Sequence, residues 1–88
     1  MRLQNKAILI TASTRGIGLA IVKKCAQEGA RVYMAARNVE RAQEIANTLN
    51  GVKCVYNDAM KPETFTSMVE DVVKDAGRID VLVNNFGT

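Results

Sequence analysis

Residues 11–18 (TASTRGIG) constrain the fold of this chain more than any other feature, because they join a short apolar run to a helix-like stretch. Gly16 and Gly18 leave room for the backbone to turn tightly off a strand. They also let a pyrophosphate approach main-chain N–H groups at the positive end of a helix. Two glycines alone are a weak signal, because they also fit an ordinary strand-to-helix turn. The preceding strand, the following helix and a second strand at residues 31–36 favour a dinucleotide site within a βαβ unit.

The chain alternates regularly between strand-like and helix-like segments. Strands are predicted at residues 6–11, 31–36, 52–57 and 80–84. Helices are predicted at residues 16–28, from an Asn38 cap to a stop at Asn50-Gly51, and from a first turn holding Pro62 to Gly77. The order β-α-β-α-β-α-β predicts an α/β fold, a doubly wound parallel sheet that binds ligand beyond the carboxyl ends of its strands.

Each predicted helix has one apolar face, which we expect to form core. In chain order these faces are Ile17, Ala20, Ile21 and Cys25; Val39, Ala42, Ala46 and Leu49; and Phe65, Met68, Val69, Val72, Val73 and Ala76. The fourth strand is a continuous apolar run, which is typical of a parallel strand covered by helices on both faces.

Composition narrows the classes of function. At 88 residues and 48% hydrophobic, the chain is expected to form one domain, residues 1–88, with one modest core. The net charge is +3 and its basic residues are dispersed, which argues against a nucleic-acid partner. No apolar run is long enough for a membrane span and no signal-peptide region is visible, so we expect a cytoplasmic protein. Cys25 and Cys54 are predicted to be core residues, and the absence of histidine argues against a metal site.

Residues 11–18, together with Asn84-Asn85-Phe86-Gly87 after the fourth strand, resemble two motifs of the classical short-chain dehydrogenases/reductases. The resemblance covers the whole chain and implies the NADP-binding half of a Rossmann-type domain, truncated before the catalytic half. Ala12 stands where the family usually has glycine, which leaves the path of the loop in doubt. Phe86 stands where the family usually has alanine, and either shapes the pocket or only fills a gap.

The residues after the second strand bear on the choice of cofactor. NAD-specific sites generally place an acidic residue there to bind the ribose hydroxyls. Here the chain reads Ala35-Ala36-Arg37-Asn38, and Arg37 with Arg15 offers donors to a 2′-phosphate. NADP(H) is therefore the predicted cofactor, although either arginine could instead be an ordinary surface residue.

The resemblance also implies roles for single residues. Asp58 and the backbone of Ala59 are expected against the adenine, and Asn85 on the adenosine side. For Asp58, a local turn role is the alternative. Ser13, Thr14 and Ile17 are expected to touch cofactor mainly through the main chain. The full set of expected cofactor-binding residues is Ala12, Ser13, Thr14, Arg15, Gly16, Ile17, Gly18, Arg37, Asp58, Ala59, Asn84, Asn85 and Gly87.

No catalytic residue is assigned. The family's active tyrosine has a lysine four residues later, whereas Tyr33 is followed at that distance by Arg37, and Tyr56 by Met60.

The details of both motifs are similar to bacterial hydroxysteroid dehydrogenases, including the 7α type acting on bile acids. That similarity implies hydride transfer between nicotinamide and a small-molecule alcohol or ketone. The alternative is a stand-alone or degenerate module that binds NADP(H), or self-associates, without catalysis. The apolar fourth strand, at an unpaired edge, predicts that the isolated chain associates or is only marginally stable.

Overall fold

The computed structural model describes residues 3–11, 16–58 and 60–84. These residues form four strands and three helices in strict alternation. In chain order the elements are β1 (Ala7–Thr11), α1 (Gly16–Gln27), β2 (Arg31–Ala36), α2 (Val39–Ala46), β3 (Val52–Tyr56), α3 (Glu63–Ala76) and β4 (Val81–Val83). The predicted order of elements is confirmed, and most bounds match the prediction or differ from it by one residue.

The four strands form one parallel sheet in the order β3-β2-β1-β4. The register of β1 with β2 runs from Ala7 opposite Arg31 to Thr11 opposite Ala35. The chain thus builds outward from β1 through β2 to β3, and then returns to place β4 on the other side of β1. This is the doubly wound arrangement that the alternation predicts.

Helices cover the sheet on both faces. Ile8 and Ile10 of β1 point to one face and pack in a core with Val22 of α1 and Ala42 of α2. Leu9, with a side chain on the opposite face, packs in a second core built around α3. The alternation of side chains along β1 therefore serves two separate cores. The remaining buried members of this second core are Tyr33, Ala35, Met68 and Val72.

The inward face of α1 is rotated by one residue from the predicted one. Ile17 is 69% exposed and Ala20 is also exposed, so the prediction that both are core residues is wrong. The face that meets the sheet follows the spacing i, i+3, i+4, i+7, i+8, which is the full period of an amphipathic helix. Its members are Gly18, Ile21, Val22, Cys25 and Ala26.

Both cysteines are partly buried against the first core, as predicted, and they are not paired with each other. Burial raises the pKa of the Cys25 thiol and that of the Cys54 thiol. At neutral pH both thiols are therefore protonated, and both side chains act as small apolar groups.

Helix α2 begins as predicted and ends early. The Asn38 side chain accepts a hydrogen bond from the Arg41 amide at 3.1 Å, which confirms the predicted cap. The helix stops at Ala46 and not at Asn50-Gly51, because the Thr48 hydroxyl and amide both donate to the Ile45 carbonyl and tighten the last turn. Leu49 still packs against the core from the turn that follows. Val39 is exposed, contrary to prediction.

Helix α3 ends at Ala76 and is capped by Gly77, whose φ of 87° is the left-handed conformation that glycine adopts without strain. Pro62 lies one position earlier than predicted, at the cap. Met68 forms core as predicted, whereas Phe65 and Val73 at the margins of the predicted apolar stripe are exposed. The buried stripe of α3 is thus narrower than the sequence pattern.

Strand β4 lies at the edge of the sheet and is shorter than residues 80–84. It pairs with β1 from Ile8 opposite Val81 to Ile10 opposite Val83. Val81 and Leu82 are both exposed, in keeping with the predicted apolar strand at the edge of the sheet. Among those residues, no helix is long and apolar enough to cross a membrane.

Candidate functional site

The carboxyl ends of all four strands meet along one edge of the sheet, here called the carboxyl edge. The last strand residues there are Thr11, Ala36, Tyr56 and Val83. Because β2 and β4 flank β1 on opposite sides, the chain leaves this edge in opposite directions after β1 and β3. In open α/β sheets a crevice forms at such a reversal, and ligands bind there.

Thr11 connects the two motifs that the sequence singled out. Its side chain is fully buried, and its hydroxyl lies 3.2 Å from Asn84 Oδ1 and 3.4 Å from the Val83 carbonyl oxygen. The hydroxyl has one proton to donate to either acceptor. The end of β1, from which the glycine-rich segment departs, is therefore tied to Asn84 at the end of β4.

Helix α1 begins at the carboxyl edge with Gly16, whose φ of 63° is left-handed. A Cβ built on Gly16 would meet no atom of the described residues within 4 Å, so against these residues glycine is required for its conformation and not for space. Gly18 is buried. The first turn of α1 holds no acidic residue, so the positive end of the helix dipole is not compensated by a carboxylate from that turn. Such a helix start is suited to an anion.

Arg37 directly follows the last residue of β2 and is exposed. The next residue, Asn38, uses its side-chain oxygen to cap α2. The first carboxylate after the strand is that of Glu40, inside the first turn of α2. The end of β2 thus presents a cation and no acidic residue to the carboxyl edge.

Asp58 follows β3 and lies in a tight turn. Its Oδ1 accepts a hydrogen bond from the Met60 amide at 2.9 Å, and its carbonyl accepts one from the Lys61 amide at 2.9 Å. The local turn role, left open as an alternative by the sequence, is therefore present. The expected contact of Asp58 with adenine stays a prediction.

Sequence reasoning missed two buried polar residues beside this turn. Asn57 and Thr64 are joined by a hydrogen bond of 3.1 Å between the Thr64 hydroxyl and Asn57 Oδ1. A threonine in the first turn of a helix, six residues after an aspartate in the turn that follows a strand, is the signal that could have found this pair.

The structure brings Gly16, Gly18, Arg37, Asp58 and Asn84 to the carboxyl edge, and Ile17 lies there with an exposed side chain. The other expected cofactor-binding residues lie outside the described residues. They are Ala12, Ser13, Thr14, Arg15, Ala59, Asn85 and Gly87, and Phe86 is also among those not described.

The opposite edge of the sheet has a shallow depression between the starts of β2 and β3, lined partly by Arg31 and Lys53. The Lys53 ammonium is paired with the Asp75 carboxylate at 2.9 Å. The same carboxylate accepts the Tyr33 hydroxyl at 2.6 Å. The contacts at this end thus join α3 to the sheet.

The parallel order, the helix start at the reversal point and the cationic end of β2 define a doubly wound nucleotide-binding fold. The family model described as short chain dehydrogenase matches residues 6–88, and the chain belongs to that family.

Two curated relatives are bacterial 7alpha-hydroxysteroid dehydrogenases. The one from Clostridium sardiniense is 51% identical over 90 residues, and the one from Paraclostridium sordellii is 45% identical over 91 residues. These alignments cover 98% and 99% of this chain but 34% of each relative. The chain therefore spans about a third of the length of these relatives.

Solved structures agree with this assignment. A metagenomic short-chain oxidoreductase in complex with NADP is 33% identical, with a TM-score of 0.88, and is matched over 100% of this chain and 42% of its own. A short chain dehydrogenase from Burkholderia cenocepacia in complex with NADP is 34% identical, with a TM-score of 0.90, over 100% of this chain and 38% of its own.

Proposed function

We propose that residues 1–88 form the NADP(H)-binding half of a short-chain oxidoreductase, and that the whole protein transfers hydride between nicotinamide and a carbonyl or secondary alcohol. The observation that carries the proposal is the carboxyl edge: helix α1, with no acidic residue in its first turn, begins beside the reversal point, and the Arg37 cation follows the neighbouring strand β2. Bound cofactor would supply or accept the hydride. The chain's own residues bind and orient it.

Each expected contact matches one chemical group of the cofactor. The amides at the start of α1, near Gly16 and Gly18, suit the pyrophosphate. Arg37 suits a 2′-phosphate, because a guanidinium offers several donors to phosphate oxygens. Asp58 suits the adenine amino group, because a carboxylate can accept a hydrogen bond from it. Asn84, tied to Thr11, suits the wall of the site on the other side of β1.

Support for NADP(H) over NAD(H) comes from two sources. The end of β2 carries Arg37 and no acidic residue before Glu40, and two solved relatives are described as complexes with NADP. A charge-assisted hydrogen bond contributes about 1.5–3 kcal/mol, so Arg37 alone can favour the phosphorylated cofactor by about 10- to 100-fold.

For the substrate we propose a hydroxysteroid, such as a 7α-hydroxy bile acid, on the strength of the two 7alpha-hydroxysteroid dehydrogenases among the relatives. The 88 residues include no assigned catalytic group, and we expect them to bind cofactor without turning over substrate. The two unpaired cysteines are in keeping with a reducing compartment, and we propose the cytoplasm.

The test of cofactor choice is a titration of the full natural protein with NADPH and with NADH. Arg37→Asp should lower the affinity for NADPH by about 10- to 100-fold and leave that for NADH unchanged or higher. Arg31→Asp, at the opposite end of β2, makes the same charge change away from the site and should leave the ratio of the two affinities near that of the wild type. Equal loss in both variants would contradict the assignment of Arg37.

Turnover is tested separately by supplying the full natural protein with NADP and a 7α-hydroxy bile acid and following NADPH formation. The proposal expects NADPH to accumulate. Cofactor binding without turnover on any alcohol or ketone would favour the alternative, a binding module without catalysis.

A further inference from the structure

Thr64 is a polar residue in the first turn of α3 that is only 8% exposed. Its hydroxyl is surrounded by polar atoms of the turn that follows β3. Burying a hydroxyl is unfavourable unless hydrogen bonds replace those made with water. The contacts of Thr64 therefore explain why a polar side chain is held there.

The Thr64 hydroxyl accepts a hydrogen bond from the Asp58 backbone amide at 2.9 Å. It also lies within donating distance of three oxygens, those of Asn57 Oδ1 at 3.1 Å, the Asp58 carbonyl at 3.0 Å and the Lys61 carbonyl at 2.8 Å. A hydroxyl has one proton and two lone pairs, so it accepts from Asp58 and donates to one of the three oxygens at a time.

These contacts act on the backbone of Asp58 and not on its carboxylate. The carboxylate makes its own bond, from the Met60 amide to Oδ1. Asn57 continues the alignment of β3 with β2, since its amide donates to the Ala36 carbonyl at 3.1 Å. Thr64 thus joins the start of α3 to the end of the sheet at the residue where the chain turns.

The Thr64 hydroxyl does more than cap the helix. Pro62, at the cap of α3, makes no side-chain cap bond. Of the four polar groups around the hydroxyl, three belong to Asn57 and Asp58, which precede the helix by several residues. The Thr64 side chain therefore helps to fix the position of Asp58 relative to the carboxyl edge, together with the Lys61 amide that donates to the Asp58 carbonyl.

We propose that Thr64 is a positioning residue for the adenine end of the cofactor site, acting through Asp58. This inference rests on the proposed function, because it requires that Asp58 meets the adenine of NADP(H). Thr64 itself touches no cofactor. It fixes the backbone of Asp58 so that the carboxylate is held at the carboxyl edge before cofactor binds, which lowers the ordering that binding would otherwise require.

The experiment measures NADPH affinity in the full natural protein by the change in cofactor fluorescence. Thr64→Val removes the hydroxyl with little change in shape, and Thr64→Ser keeps the hydroxyl. Thr66→Val makes the same chemical change at an exposed position of α3 and is the matched control. Each substitution of Thr64 is also made in an Asp58→Ala background, which completes a double-mutant cycle.

Thr64→Val should weaken NADPH binding by about tenfold, while Thr64→Ser and Thr66→Val stay within about twofold of wild type. With Asp58→Ala present, Thr64→Val should add less than about twofold, because the group it positions is gone. A helix-stabilising role alone would give the same loss in both backgrounds. Melting curves confirm that each variant is folded, and Thr64→Ala replaces Thr64→Val if the valine variant does not fold.

The outcomes separate this inference from the proposed function. If wild-type protein binds NADPH and Thr64→Val binds it equally well, or if the losses are additive, the role of Thr64 is overturned and the proposed function stands. If wild-type protein binds no NADPH, the proposed function fails and this inference fails with it.

Discussion

Leu9 and Leu82 are register partners on the same face of the sheet, yet Leu9 is 0% exposed and Leu82 is 44% exposed. Leu9 packs in the core around Met68 and Val72 of α3. Leu82 lies one strand further out, at the sheet edge, and is not among the residues that pack in this core. On this face of the sheet, α3 thus covers β1 at Leu9 but leaves β4 exposed at Leu82.

Removing these two leucine side chains should have very different effects on stability. Leu9→Ala should lower the free energy of unfolding by about 2–5 kcal/mol, because it leaves a cavity between the sheet and α3. Leu82→Ala should lower it by less than about 1 kcal/mol, because Leu82 is exposed at the sheet edge and its removal leaves no enclosed cavity. Denaturant titration of the 88-residue chain measures both. Similar losses would show that Leu82 is covered in solution.

Self-association of the 88-residue chain should depend on Leu82. An exposed apolar residue on an edge strand favours pairing with a second copy, and a charge there opposes it. Leu82→Asp should therefore reduce association in sedimentation velocity experiments. Val39→Asp introduces the same charge at an exposed apolar residue of α2 and should leave association unchanged. A wild-type chain that sediments as a monomer at all concentrations would contradict this expectation.

Asp80 should contribute stability that is lost in acid. Its Oδ2 accepts the Ala7 amide at 2.8 Å, and Arg78 Nε donates to both of its oxygens at 3.0 Å. The Ala7 amide and then Arg78 hold the pKa of Asp80 below its ordinary value of 3.8.

Because the folded-state pKa of Asp80 is lowered, its contribution is complete above the ordinary value and disappears as the pH falls through the folded-state pKa. Asp80→Asn should be less stable than wild type at neutral pH, and the difference should shrink below about pH 4. Arg78→Gln keeps the carboxylate and should retain part of the pH dependence. Melting temperatures measured across this range check both, and a difference that is independent of pH would contradict the role of the charge.

Tyr33 should ionise only in strong alkali. Burial, followed by the hydrogen bond to Asp75, raises the pKa of Tyr33 from 10.0 to about 12. Since the folded-state pKa is raised, this group stabilises the fold below pH 10 and the stabilisation is lost as the pH rises towards 12. An absorbance titration should show a tyrosinate step near pH 12 that is missing in Tyr33→Phe. A Tyr33 step at its ordinary value would contradict the observed packing.

Much of the fold could be predicted because local signals agreed with the global arrangement. Strand β2 occurs at the predicted residues, Asn38 caps α2, and Gly77 ends α3 in a left-handed conformation. Each of these depends on a residue's own backbone chemistry or on a short apolar run. The order of elements then followed from alternation alone.

The details that could not be predicted depend on contacts between distant parts of the chain. Ile17 fits the apolar period of α1, but the face that meets the sheet is centred on Val22. The exposure of Leu82 depends on where α3 lies across the sheet. At the site, the positions of Gly16, Arg37 and Asp58 could be predicted from the motifs, whereas the bonds of Thr64 could not, because they depend on how the turn after β3 closes.

The most direct test of the central claim is to map NADP binding onto the sheet by amide chemical shifts of the 88-residue chain. The account predicts shifts at the carboxyl edge, at Gly16, Gly18, Arg37, Asp58 and Asn84. Amides at the opposite edge, such as those of Arg31, Gly51 and Asp80, should be unchanged. Changes confined to that opposite edge, or none at saturating NADP in a folded chain, would contradict the claim that these residues form a cofactor site.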